Sequence, residues 1–223
     1  TVIYTGNGTV GRALTTGTFQ PDFSWFKNRG TTESHVLIDA IRGASFNIAS
    51  NANRAETNVS DKVSAFTSTG VTLGSSAETN ENNQPLVAWN WKGNGSGSAN
   101  TDGSINSTVS ASTTSGFSIV KWTGNGSTAT IGHGLGKVPK MIMVKSLANT
   151  TTWMVQHASL GNAKEIYLNN SSAAGNSTAW NSTTPTSTVF SVTGGAGDGV
   201  NASGDYIAYC FADIKGFSKF GQY

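Results

Sequence analysis

Tyr4-Thr5-Gly6-Asn7-Gly8 returns as Trp122-Thr123-Gly124-Asn125-Gly126, 118 positions along the 223-residue chain, counted from Gly6 to Gly124. The same offset places Pro21 on Pro139, Lys27 on Lys145, Ala40 on Ala158, Gly43 on Gly161, Ile48 on Ile166 and Asn51 on Asn169. Late in the copy the offset drifts by two, so that Leu86-Val87-Ala88-Trp89-Asn90-Trp91 meets Tyr206-Ile207-Ala208-Tyr209-Cys210-Phe211. Self-similarity at this period denotes a tandem array of domains, each closing its own core, and argues against one enzyme built around a single cleft.

Short apolar or aromatic segments bounded by Gly, Asn, Ser and Thr read as strands and turns. Expected strands in the first copy are Val2–Thr5, Phe23–Lys27, Val36–Ile41, Val63–Phe66, Val71–Leu73 and Leu86–Lys92. The second copy supplies Ser118–Thr123, Lys140–Lys145, Trp153–His157, Glu165–Leu168, Thr188–Val192 and Asp205–Ala212. Ala52–Thr57 and Ala163–Tyr167 each allow about a turn of helix. The two Gly-Asn-Gly tripeptides read as hairpin turns, since Asn-Gly tolerates the positive φ values of a tight turn. The expected fold class is therefore all-β: two tandem β-sandwich domains of jelly-roll kind. The first covers 1–92 and the second 117–223. Between them, 93–116 reads as a Gly/Ser/Asn-rich linker whose Ser104–Ser112 half can add a strand. Gly216-Phe217-Ser218 repeats the Gly116-Phe117-Ser118 lead-in, so a further repeat is expected to start there in a longer protein.

Charged residues make up 12% of the chain, about half the usual share of roughly 25%. The net charge is +2, and its 14 basic residues are scattered. No basic stripe exists for phosphate neutralisation, so nucleic acid is not an expected partner. No apolar run approaches the roughly 18 residues of a membrane span. The lone Cys210 cannot close an intrachain disulfide and sits in an apolar run, where a buried, inert thiol is the default.

Gly6–Gly11 matches G-x-G-x-x-G, but Thr15-Thr16-Gly17-Thr18 follows instead of a crossover helix, so no nucleotide is expected. His35, His133 and His157 show no metal-ligand spacing, and no nucleophile elbow accompanies them. No cofactor or metal is expected. Asp102, Asp198 and Asp205 lie in Gly/Asn-rich loops and read as solvated turn carboxylates, with calcium as the other reading. Asp22, Asp39 and Glu56 are the carboxylates that folding can bring together as a glycosidase pair.

Five of the six tryptophans lie in strands, where packing is the default; Trp89 and Trp91 share a face, either core or a seam between chains. Trp180 stands instead in the polar stretch Asn176-Ser177-Thr178-Ala179-Trp180-Asn181-Ser182-Thr183. Such a ring can stack on a sugar while Asn176 and Asn181 bind hydroxyls. Equally, it can pin its own loop or meet a neighbouring subunit.

The phrases Phe19-Gln20-Pro21-Asp22, Trp25-Phe26-Lys27-Asn28-Arg29, Ile41-Arg42-Gly43, Gly132-His133-Gly134-Leu135-Gly136 and His157-Ala158-Ser159-Leu160-Gly161 recur in order with the Gly-Asn-Gly segments. Together they resemble the tandem repeat module of large tail-fibre and other virion proteins of marine bacteriophages. That resemblance implies a β-rich virion component that is not an enzyme. Its partners would be other copies of itself, a trimer being common in such fibres, and other virion proteins, with a role in host attachment. It carries over no catalytic residue. A carbohydrate-binding adhesin for bacterial surface polysaccharide is the alternative, and a depolymerase fragment the third reading.

Overall fold

The computed structural model describes residues 1–195 and 200–221. Asp198 lies outside the described residues. The chain divides into two compact units, Thr1–Ser96 and Gly97–Tyr223.

The first unit runs β1 (Val2–Thr5), β2 (Arg12–Thr15), β3 (Phe23–Asn28), β4 (Val36–Asp39), β5 (Gly43–Ile48), β6 (Thr57–Asn58), β7 (Val63–Thr67), β8 (Gly70–Leu73), a one-turn helix α1 (Ala77–Asn80) and β9 (Pro85–Trp91). An antiparallel sheet in the order β1-β9-β3-β4-β5-β6 faces the smaller sheet β2-β8-β7. Alternation along each strand sends Tyr4, Phe26, Val36, Ile38, Leu86 and Ala88 inward, against Leu14, Val63, Val71 and Leu73 from the small sheet. The opposite face of the large sheet is aromatic. Trp25 and Trp89 oppose each other across β3 and β9, edge to face at 6.2 Å between centroids, and Trp91 leans on Phe23 at 5.0 Å.

In the second unit the strands are β10 (Ser98–Asn100), β11 (Ser107–Ser112), β12 (Phe117–Gly124), β13 (Ala129–Gly132), β14 (Met141–Ser146), β15 (Met154–His157), β16 (Lys164–Tyr167), β17 (Gly175–Asn176), β18 (Val189–Val192) and β19 (Gly204–Phe211). The large sheet is ordered β10-β11-β12-β19-β14-β15-β16-β17, and β13-β18 form the small one. Val120, Trp122, Ile142, Val144, Ala208 and Cys210 fill the core with Ile131, Phe190 and Val192. The all-β, sandwich expectation therefore holds. The order β12-β19-β14-β15-β16-β17 repeats β1-β9-β3-β4-β5-β6 strand for strand. The stretch 93–116 contributes two strands, β10 and β11, both hydrogen-bonded into the second unit's sheet.

Two local expectations are corrected. Ala163–Tyr167 is not helical: Lys164–Tyr167 pairs with β15 and β17, because sheet neighbours satisfy its backbone. Ala52–Thr57 also forms no helix; Thr57 and Asn58 pair with β5. The Gly-Asn-Gly segments are not hairpin turns either. β1 pairs with β9 while β2 pairs with β8, so the segment crosses from one sheet to the other. Only the second glycine is left-handed, Gly8 at φ 66° and Gly126 at φ 77°.

A buried asparagine explains why this segment recurs. Asn80 and Asn201 are both fully buried. The Asn80 carbonyl accepts the Gly8 N–H at 2.8 Å, and the Asn201 carbonyl accepts the Gly126 N–H at 2.8 Å. The Asn80 side chain accepts from the Asn7 N–H (3.1 Å) and from Arg12 Nη1 (3.0 Å), and donates to the carbonyls of Thr9 (3.0 Å) and Gly74 (2.8 Å). In the second unit Asn201 donates to Asn125 Oδ1 (3.0 Å) and the Ser127 carbonyl (2.8 Å), and accepts from Trp122 Nε1 (3.0 Å). Approach is so close that a Cβ on Gly6 would lie 1.9 Å from the Glu81 carbonyl oxygen, and one on Gly124 would lie 2.0 Å from that of Ala202.

Asn201→Ala should cost about 2–4 kcal/mol, since it leaves buried partners unsatisfied. Gly124→Ala should cost more than Gly126→Ala: Gly126 has open space around its missing Cβ and suffers only the backbone penalty of about 1 kcal/mol. Urea melts of the three variants check both statements; equal losses at the two glycines would refute the close-approach account.

Candidate functional site

The expected sugar shelf is not assembled. Trp180 is only 2% exposed and belongs to the core of the second unit with Ala179, Val192 and Val200. The polar stretch folds on itself to push the ring inward. Asn181 N donates to the Thr178 carbonyl (2.9 Å), Thr183 N to that of Trp180 (3.0 Å), and Thr193 N to that of Ala179 (2.9 Å). Asn181 and Ser182 follow in consecutive left-handed conformations, φ 50° and 45°. Trp180 thus pins its own loop, and its face is not available for stacking on a sugar. Its Nε1 is buried with no hydrogen-bond partner among the described residues. Asn176 and Asn181 stay exposed. The Asn176 side chain accepts from Lys164 Nζ across β16 and β17 at 2.7 Å. No polar neighbour in sequence could have signalled the burial of Trp180; the apolar partners come from β13, β18 and β19.

The three carboxylates considered together are held apart by other partners. Asp39, fully buried, accepts from Arg42 Nε (2.5 Å) and from the N–H groups of Ile41 (3.1 Å) and Arg42 (3.0 Å). Glu56 meets the same guanidinium at Nη1 (2.9 Å). Asp22, also fully buried, accepts from the Gly93 N–H (2.8 Å) and Gln20 Nε2 (3.2 Å) and pairs with Lys92 at 3.1 Å. Buried charges need such pairing and hydrogen bonding to be tolerated.

Each histidine is likewise bound into local structure. Trp25 Nε1 donates to His35 Nδ1 at 2.7 Å, and burial, with Lys27 nearby, holds the His35 pKa low. His133 is fully buried; its Nδ1 accepts the Leu135 N–H and its Nε2 faces the Thr186 carbonyl at 3.3 Å, an arrangement that needs the proton on Nε2. Burial lowers its pKa as well. His157 occupies the repeat position of Asp39, and both accept the N–H two residues on, from Ser159 and Ile41. Different side chains therefore close the same turn.

Lys27 and Lys145 form a matching pair. Lys27 Nζ donates to the carbonyls of Asn28 (2.6 Å), Thr31 (3.1 Å) and Glu33 (2.8 Å). Lys145 Nζ donates to those of Ser146 (2.7 Å) and Asn149 (3.1 Å), with the side chain fully buried. Burial pushes the Lys145 pKa down to about 8. A buried lysine of this kind often marks a reactive site; here its twin in the other repeat shows the same carbonyl-capping role. Cys210 is buried and its thiol is pushed up to about 12, the inert state expected of it.

Two open depressions remain at the surface of the second unit. One, of about 740 Å³, is lined by Lys137, Asp213, Ile214, Lys215, Phe217 and Lys219. The other, about 240 Å³, lies along β11 and β12 and offers Asn106, Thr108, Lys121 and Thr123. Beside it Asp205 accepts from Thr123 Oγ1 (2.6 Å) and pairs with Lys121 (2.8 Å). Those two hydrogen bonds hold the Asp205 carboxyl below its usual range. Among the described residues no cluster of three or more His, Cys, Asp or Glu side chains is placed to hold a metal ion, and no helix is long and apolar enough to cross a membrane.

The family described as "Domain of unknown function (DUF7483)" matches residues 1–223. The chain belongs to this family. No curated protein and no solved structure matches it. The DUF7483 match spans both sandwiches, so the family unit contains the duplication.

Two measurements follow from the buried groups. The unfolded lysine titrates near about 10.4, so between about pH 8 and that value the unfolded chain binds more protons than the folded one. Lys145 then adds stability as pH rises across this window. Denaturation at pH 8, 9 and 10 should show Lys145→Met lacking that gain; parallel curves would mean an ordinary amine. Trp180→Ala should cost about 3–5 kcal/mol as a core truncation. A neutral effect on thermal unfolding would return the ring to the surface.

Proposed function

We propose that the chain is a structural, non-enzymatic segment of a bacteriophage virion appendage, a tail fibre or a decoration of the capsid or tail. One observation carries this reading: both repeats spend their polar side chains on the same internal fastenings. Asn80 and Asn201, Lys27 and Lys145, and Asp39 and His157 stand at matched places and close matched turns. A chain under selection for chemistry keeps such groups accessible in one cleft, whereas here duplication preserves the fastenings. The resemblance of its ordered Gly-rich phrases to phage repeat modules supports the location. In this reading its partners are further copies of itself, in a trimer if it follows such fibres, and neighbouring virion proteins. A surface poor in charge limits indiscriminate adhesion.

Carbohydrate adhesion is the second reading, and the groove along β11 and β12 favours it. Amide and hydroxyl groups of Asn106, Thr108 and Thr123 line a depression beside the Lys121–Asp205 pair, a surface suited to a neutral polyol.

Antibody raised against the chain should label purified phage particles in electron micrographs, and its peptides should appear in the proteome of washed virions. Presence in lysate but absence from particles would overturn the structural reading. In parallel, the purified chain is passed over bacterial surface polysaccharide while released reducing ends are assayed. Retention weakened by Asp205→Asn would establish an adhesin, and release of reducing ends a depolymerase.

A further inference from the structure

β1 and β12 are the same strand in two copies of one sandwich, yet their surroundings differ. β12 is held on both sides, by β19 and by β11, whereas β1 is held on one side only, by β9, and ends its sheet among the described residues. The second copy therefore displays what occupies the edge that the first leaves open: an antiparallel strand of small residues, Ser107-Thr108-Val109-Ser110-Ala111-Ser112, backed by β10.

The direction of the backbone groups agrees. Gly6 N donates to the Gln84 carbonyl at 2.9 Å, which fixes the phase of the β1–β9 ladder. Hydrogen-bonded pairs alternate along an antiparallel pair, so Val2 and Tyr4 turn their N–H and C=O toward β9. Ile3 and Thr5 turn theirs outward. The Thr5 carbonyl is taken by Arg12 Nη1 at 2.6 Å, leaving both groups of Ile3 and the Thr5 N–H facing the open edge. Ile3 occupies the repeat position of Lys121, whose partner on β11 is Thr108. Its side chain is also 68% exposed, a branched apolar residue where sheet edges usually carry charge or proline.

We propose that the β1 edge is an acceptor for strand addition. Its occupant is an antiparallel extended peptide with the small Ser/Thr/Ala/Val character of β11, seated with its threonine opposite Ile3. Main-chain hydrogen bonds supply the attraction, and small side chains let the added strand lie flat beside Tyr4 and Ile3. The argument rests on the internal comparison of the two sandwiches and is independent of any virion role.

A synthetic peptide of residues 97–116, which contains both strands of the β10–β11 hairpin, is the probe. It is added at millimolar concentration to the full 223-residue chain, and amide hydrogen exchange is followed residue by residue. Exchange at Ile3 and Thr5 should slow about tenfold or more, with Val2 and Tyr4, already bonded to β9, changing least. The same peptide N-methylated at Thr108 should give no slowing, a control that leaves the protein untouched. Ile3→Pro should abolish the effect, and Ile3→Val should retain it, since only the outward N–H matters. Unchanged exchange at Ile3, or equal slowing by the methylated peptide, overturns the proposal. So does slowing that appears without peptide and grows with protein concentration, which would assign the edge to a second copy of the chain.

Discussion

Each sandwich is closed by one buried asparagine. The chain leaves the large sheet after β1, crosses to the small one at β2, and has to pass the segment that leads into β9 or β19. Crossing exposes backbone donors and acceptors in a place that water does not reach, and such groups must be bonded. Asn80 and Asn201 supply a donor and an acceptor on the side chain and a further acceptor on the backbone, all within one residue. Tyr4 reinforces the first latch from the neighbouring residue, donating to the Thr79 carbonyl at 2.5 Å. Register, sheet order and the packing of the two layers all depend on this crossing staying shut.

Much of this architecture was legible from residue order. The twelve expected strands fall on observed ones because apolar runs such as Met141-Ile142-Met143-Val144 leave little choice of structure, and the 118-residue repeat transfers each assignment to its twin. Arg12–Thr15, Gly43–Ile48 and Ala129–Gly132 went unread because they are short and lack a continuous apolar signature. Their strand character comes from partners distant in sequence. The Gly-Asn-Gly motif was visible but misassigned, since a hairpin and a crossover between layers demand similar turn residues. Only the pairing partners distinguish them.

The site was less legible than the fold. Trp180 lies in a run of Asn, Ser and Thr that gives no local sign of a core position, and its burial depends on Phe190, Val192 and Val200, which follow it by ten residues or more. Asn80 and Asn201 escaped notice for a related reason: an asparagine in a polar loop and one that closes a core are alike in one dimension. A comparison of the two repeats could have found them. Each follows a stretch ending in Thr or Val and precedes by a few residues the last strand of its unit, but the two-residue drift blurs the match.

The nature of these latches bears on the medium in which the protein can work. Amides, carbonyls and ring N–H groups make up nearly all of both closures, with Arg12 the one charged contributor. Mobile ions weaken attraction between exposed charges, and at about 1 M salt that attraction fades within roughly 3 Å. Buried hydrogen bonds between neutral groups have no such dependence. Dissolved salt can loosen the exposed Lys121–Asp205 pair, but it has little purchase on what keeps either sandwich closed.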